Sequence, residues 1–174
     1  MPTANIEIKA RCRDLAAARE RVTGLATSWI GVEEQVDTYF QTRTGRLKLR
    51  ESSRSGGQLI PYLRPDESGP RRSDYQVIAC PDPGETRRLL LELLGLHTVV
   101  RKRREIALVD NVRVHLDEVD GLGPFIELEA VFDGSAGEEA ANRARVAELM
   151  QALGVREADL IDGSYESMLR ECGA

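Results

Sequence analysis

Four segments of this chain repeat one pattern, a strict alternation of apolar and charged residues. In NIEIKAR (5–11), Ile6 and Ile8 alternate with Asn5, Glu7, Lys9 and Arg11. In GRLKLR (45–50), Leu47 and Leu49 alternate with Arg46, Lys48 and Arg50. In VRVHLDEV (112–119), Val112, Val114 and Leu116 stand opposite Arg113, His115 and Asp117. In FIELEAV (125–131), Ile126 and Leu128 stand opposite Glu127 and Glu129. A strand sends successive side chains to opposite faces, so each segment predicts a strand with one apolar and one charged face. The apolar face must be covered, which calls for a sheet packed on helices or rolled on itself.

The punctuation between these runs predicts how they connect. Asp110–Asn111 and Asp120–Gly121 are hairpin turns, and SRSGGQ (53–58) is a third. LIPYLRP (59–65), DYQVIAC (74–80) and HTVVRKRREIALV (97–109) add further strands, and SWIGVEEQVDTYFQT (28–42) ends in the β-favouring Thr38–Tyr39–Phe40. DLAAARERV (14–22) and PGETRRLLLELLG (83–95) read as helices, the second with Pro83 at its start and Gly95 at its stop. Two more helical segments close the chain. Roughly eight strands joined mostly by hairpins give an antiparallel α+β pattern. With no obvious edge protection, the expected form is a closed or nearly closed eight-stranded β-barrel with flanking and C-terminal helices. No linker or repeat divides the 174 residues, so residues 1–174 form one domain.

Composition narrows the function classes. The chain is 41% hydrophobic and 30% charged with a formal net charge of -5, which argues against nucleic acid and anionic membranes as partners. No apolar run approaches a membrane span, and the N-terminus lacks a secretory apolar core. The three cysteines, Cys12, Cys80 and Cys172, are far apart and form no CxxC pair, which points to free thiols in a reducing cytoplasm.

The charged faces carry the chemistry. Ordinary solvated strands mix signs and small polar residues, whereas here whole strands carry one sign. LIPYLRP places Arg64 in step with Tyr62, and VVRKRRE (99–105) presents either Lys102 and Arg104 or Arg101 and Arg103, depending on register. Glu7, Asp117, Glu127 and Glu129 offer hard oxygen ligands suited to Mg2+ or Mn2+. Lys48, Arg50, Arg64, Lys102, Arg104 and Arg113 outnumber those acids, and a phosphate chain would take up the surplus. Metal with bases around a phosphate chain is the apparatus of phosphoryl or nucleotidyl chemistry. His115 is expected to neighbour the working groups rather than act itself, and PRRSDY (70–75) is expected to be a loop, either capping the mouth of such a barrel or contacting a base, or simply solvated.

The ordered set NIEIKAR, DTYF, GRLKLRE, YLRPD, KRR, VRVHLDEVDGLGPFIELE and DLIDGSY resembles the CYTH family, the triphosphate tunnel metalloenzymes, and most closely its class IV adenylyl cyclase-like members. The resemblance runs from Asn5 to about Tyr165. It implies an eight-stranded tunnel holding a triphosphate with divalent metal. It also implies Glu7, Asp117, Glu127 and Glu129 as metal ligands, and Lys48, Arg50, Arg64, Lys102, Arg104 and Arg113 as phosphate contacts. The family's Lys-x-Arg pattern selects Lys102 and Arg104 over Arg101 and Arg103. Its opening motif, Glu-x-Glu-x-Lys, places Glu7 and Lys9 at the catalytic position, and Asn5 stands where the first Glu would be. The implied activities are cyclisation of ATP to cyclic AMP and pyrophosphate, or hydrolysis of thiamine triphosphate or tripolyphosphate. A binder of triphosphate or polyphosphate without turnover is the alternative that Asn5 raises. The family resemblance also allows a homodimer.

Overall fold

A computed structural model describes residues 4–62, 71–72, 76–132 and 136–173. The elements run β1 (Ala4–Arg11), α1 (Leu15–Leu25), β2 (Ser28–Phe40), β3 (Arg46–Ser52), β4 (Gly56–Tyr62), β5 (Arg71–Arg72), β6 (Ile78–Cys80), α2 (Pro83–Leu94), β7 (Leu96–Val109), β8 (Val112–Val119), β9 (Gly123–Phe132), α3 (Ala136–Leu153), a 3-10 turn (Glu157–Asp159) and α4 (Tyr165–Cys172). Local chemistry sets the helix ends. Asp14 caps α1 by accepting from the Ala17 amide at 3.0 Å, and Asp82 caps α2 through the Glu85 amide at 2.9 Å. Gly95 stops α2 at φ 81°, as its position predicts. Ser164 and Ser167 form a reciprocal cap on α4.

All strand pairs among the described residues are antiparallel, in the order β5-β1-β9-β8-β7-β2-β3-β4-β6. Among the described residues the expected closed eight-stranded barrel is therefore corrected to an open sheet of nine strands whose outer strands, β5 and β6, are not paired with each other. The physical reason lies in its edges. Among the described residues the outer strands β5 and β6 span two and three residues, and no ladder joins them. Beyond Leu59, β4 reaches Pro61, which has no N–H to extend its pairing with β6. Part of the stretch expected to be a loop is β5 itself, with Arg71 opposite Glu7; the rest of 70–75 lies outside the described residues.

The helices decide which face is dry. α1 and α3 cover the apolar face of β1, β8 and β9, packing Ala18, Val22, Val146, Leu149 and Leu153 on Ile6, Ile8, Val112, Val114, Leu116, Ile126 and Leu128. α2 covers the same face of β2 and β3, with Leu90 and Leu91 on Phe40 and Leu49. Burying such side chains stabilises by roughly 1.5–3 kcal/mol each, which commits the alternation to one orientation. The charged face is left to the other side. α4 alone among the described helices packs there, setting Tyr165 and Met168 on Tyr39, Val100, Val119 and Phe125 at one end. Tyr165 and Phe125 meet edge to face at 4.9 Å between centroids.

Candidate active site

Register places the charged positions of six strands side by side. Glu7 stands opposite Glu129 and Lys9 opposite Glu127 on β1–β9; Arg113 stands opposite Glu129 and His115 opposite Glu127 on β8–β9. Arg104 faces Asp117 on β7–β8, and Asp37 faces Arg50 on β2–β3. Lys102 and Arg104, each 5% exposed, are the inward pair of VVRKRRE. Arg101 and Arg103 lie on the opposite face, where Arg103 bonds Glu105 at 2.6 Å.

Asp117 is the hub. Its side chain is fully buried and accepts two bonds from Arg104, at 2.6 and 2.5 Å, and one from the Tyr165 hydroxyl at 2.9 Å; the Lys102 ammonium lies 3.6 Å away. Burial alone would raise its pKa, but Arg104 and Lys102 override that and hold it below the usual carboxylate range. Arg104 also reaches across β8 to Glu127 at 2.5 Å, and Glu127 in turn pairs with Lys9 at 3.1 Å and approaches His115 Nδ1 at 3.4 Å. Lys9 Nζ lies 4.0 Å from the centre of the Tyr165 ring, and Lys102 Nζ 5.1 Å from it. His115 is buried, and that burial, with Arg104 nearby, lowers its pKa, so it sits neutral at physiological pH.

A second knot forms on β2 and β3. Asp37 accepts two bonds of 2.7 Å from Arg50 and one of 3.2 Å from Lys48. Burial and the neighbouring Arg50 push the Lys48 pKa down to about 7, and burial and Arg104 push that of Lys102 down to about 8. Two ammonium groups thus stand on one polar face at the limit of keeping their protons. Burial comes first in holding both pKa values down, and the neighbouring guanidinium groups add to it.

The third group is acidic. Glu7 and Glu129 are cross-strand neighbours of like sign, an arrangement that costs stability unless a cation or donor intervenes. Asn5, which is 3% exposed, donates from Nδ2 to Glu129 Oε1 at 2.7 Å, and Arg113 approaches Glu129 at 3.3 Å. Among the described residues, no three Asp, Glu, His or Cys side chains are gathered into a cation cage. The donor set still fits Mg2+ or Mn2+. These are hard ions held by one or two carboxylates together with substrate phosphates, rather than by protein alone.

The structure thus brings Glu7, Lys9, Lys48, Arg50, Lys102, Arg104, His115, Asp117, Glu127 and Glu129 onto one face, with Asn5 beside them. Arg113 lies at the rim with its side chain 46% exposed. Arg64 lies outside the described residues. Sequence reasoning missed Glu33, Gln35, Asp37 and Tyr165. The first three alternate with Glu34, Val36 and Thr38, so the period-two rule would have found them. Glu33 and Asp37 narrow the surplus of bases inferred from sequence without removing it. On the described polar face the bases Lys9, Arg11, Arg46, Lys48, Arg50, Lys102, Arg104 and Arg113 still outnumber the acids Glu7, Glu33, Asp37, Asp117, Glu127 and Glu129, and the two signs are segregated.

A helix-backed antiparallel sheet with one polar face crowded by buried bases and carboxylates defines a class of protein built to hold a highly charged ligand against a sheet. The CYTH domain model matches residues 3–165, and the chain belongs to the CYTH domain family. A relative from Methanocaldococcus jannaschii, named "Putative adenylate cyclase", is 27% identical over 169 residues, covering 92% of this chain and 95% of that protein. A solved structure of a protein from Vibrio parahaemolyticus, named "putative adenylate cyclase", superposes with a TM-score of 0.82 at 22% identity, covering 98% and 99% of the two chains. A Hippeastrum protein, described as a "putative adenylyl cyclase" with a dominant triphosphatase activity, superposes with a TM-score of 0.64 at 17% identity, covering 97% and 96%. No helix among the described residues is long and apolar enough to cross a membrane.

Proposed function

We propose that this protein is a divalent-metal-dependent enzyme acting on an organic triphosphate, foremost as an adenylyl cyclase-like enzyme converting ATP to cyclic AMP and pyrophosphate. The observation that carries the reading is the knot of Lys48, Arg50, Lys102 and Arg104 on one polar face, with its two lysines held near pKa 7 and 8. A phosphate chain restores the negative charge this knot lacks and gives arginine its bidentate partners. Family membership and the name of the archaeal relative agree with that ligand class. Triphosphate hydrolysis is the second reading, favoured by the dominant triphosphatase activity ascribed to the Hippeastrum protein.

In this reading Arg50, Lys48, Lys102 and Arg104 hold the chain in line, Arg113 completes the grip from the rim, and Arg64 is a further phosphate contact by resemblance alone. Glu7, Glu127 and Glu129 would hold the metal. When bound, the metal polarises phosphoryl oxygens and offsets charge developing on the leaving group. Asp117, saturated by Arg104 and Tyr165, orients Arg104 in addition to any ligand role. Lys9, beside Glu127, stands where it can steer the nucleophile, the ribose 3′-hydroxyl in a cyclase or water in a triphosphatase.

The test is a substrate panel. Purified protein with Mg2+ or Mn2+ is expected to release pyrophosphate from ATP, or phosphate from ATP, thiamine triphosphate or tripolyphosphate. Glu127→Gln should abolish that turnover with the circular dichroism spectrum unchanged. Absence of both products across the panel would refute the enzyme, and tight metal-independent binding without turnover would replace it with a binder.

A further inference from the structure

The polar face holds one cluster that the phosphate reading does not use. Glu33, Gln35 and Ser52 lie together on β2 and β3, with Gln35 opposite both Ser52 and Lys102. Glu33 is 7% exposed and Gln35 4%. Both Glu33 oxygens are engaged: Oε1 accepts from Gln35 Nε2, and Oε2 from the Ser52 hydroxyl at 2.7 Å. Unlike Asp37, Asp117 and Glu127, Glu33 has no base within ion-pair distance among the described residues. Its partners are two neutral donors.

That arrangement fixes the orientation of the Gln35 amide. The Gln35 NH2 donates to Glu33, so its carbonyl points away. This carbonyl oxygen, Oε1, is the one buried side-chain polar atom among the described residues that lacks a hydrogen-bond partner. A buried orphan acceptor is costly, and native structures leave few of them without a purpose.

An orphan acceptor beside a carboxylate selects its ligand by chemistry. A phosphate chain offers almost only acceptors and would be repelled here. The moiety that fits must bring O–H or N–H donors. We propose that Gln35, held by Glu33 and Ser52, is the acceptor subsite for a hydroxyl or amino group on the organic part of the substrate. It would distinguish a nucleoside or other organic triphosphate from bare tripolyphosphate. The subsite rests on the triphosphate reading above, since Gln35 flanks Lys102 and would serve the group attached to the chain that Lys102 grips.

The experiment measures ligand affinity by thermal-shift titration in Mg2+, comparing ATP with tripolyphosphate, on wild type, Gln35→Met and Gln35→Asn. Methionine keeps the volume and removes the carbonyl, while asparagine keeps the amide and withdraws it. The ratio of ATP to tripolyphosphate affinity is expected to fall about three- to tenfold in both variants, the scale of one neutral hydrogen bond. The analogues 2′-deoxy-ATP, 3′-deoxy-ATP and inosine triphosphate identify the donor. The one lacking it should bind wild type about three- to tenfold more weakly than ATP, and lose that penalty in Gln35→Met. An unchanged ratio, or equal weakening of both ligands, overturns the subsite and leaves Gln35 a structural or water-binding residue. Failure of wild type to bind either ligand overturns the triphosphate reading instead, and the subsite with it.

Discussion

Replacing Asp117 by Asn tests the hub of the polar face. Asp117 is fully buried and is the common partner of Arg104, Lys102 and Tyr165. The amide is nearly isosteric but carries no charge, and one of its two polar atoms becomes a donor facing donors. Arg104 would keep only Glu127, which already serves Lys9 and His115. Removing one partner of a buried ion pair costs about 3–5 kcal/mol, because the other charge stays buried without compensation. For a chain of this size about 1 kcal/mol corresponds to roughly 2–4 °C, so a fall in Tm on the order of 6–20 °C is expected. Thermal and urea unfolding followed by circular dichroism measure it, with Asp120→Asn on the exposed β8–β9 turn as a control expected within about 0.5 kcal/mol of wild type. Tripolyphosphate should rescue part of the loss by supplying the missing negative charge beside Arg104 and Lys102. A loss under about 1 kcal/mol would refute the view that these buried charges depend on one another.

Further perturbations probe the rest of the face. Because the protonated lysines hold the anion, and Lys48 and Lys102 lose their protons near pH 7 and 8, tripolyphosphate affinity should fall as pH rises from about 6.5 to about 8.5; a flat profile by calorimetry would remove both lysines from the grip. For stability the sign is opposite. The unfolded chain binds more protons than the folded one between those values and the ordinary lysine pKa of 10.5, so these two groups favour folding as pH rises through that window. Tyr165→Phe removes one bond to the Asp117 carboxylate and should cost about 1.5–3 kcal/mol in urea unfolding. Asn5→Glu puts a third carboxylate beside Glu7 and Glu129. It should lower Tm without metal and enlarge the rise in Tm on adding Mn2+, and an unaltered metal response would separate Asn5 from the metal site.

The limits of legibility follow from the range of the interactions concerned. Glu7, Lys9, Glu127 and Glu129 were readable because each strand announces its own two faces; that Lys9 meets Glu127 was not, because β1 and β9 come from opposite ends of the sequence. Asp37 carries the same signal but sits in a long strand with a bulge near Gly31 and a mixed outer face, so its periodicity is harder to see. Tyr165 carries no alternation signal and enters the sequence reading only as the last residue of DLIDGSY. Its role comes from α4 docking on β7, β8 and β9, some 50 residues after Asp117 in the chain.

Alternation, caps and turns, all properties of residues a few positions apart, determine the strands, the helix ends and which side chains share a face. Only the tertiary structure decides that the apolar face is the one covered by α1, α2 and α3. It alone sets the order of the strands, pairs each inner acid with particular bases, and leaves the Gln35 carbonyl without a partner. Those outcomes depend on where strands distant in sequence meet, and on how far burial shifts the charge state of groups that alternation places side by side.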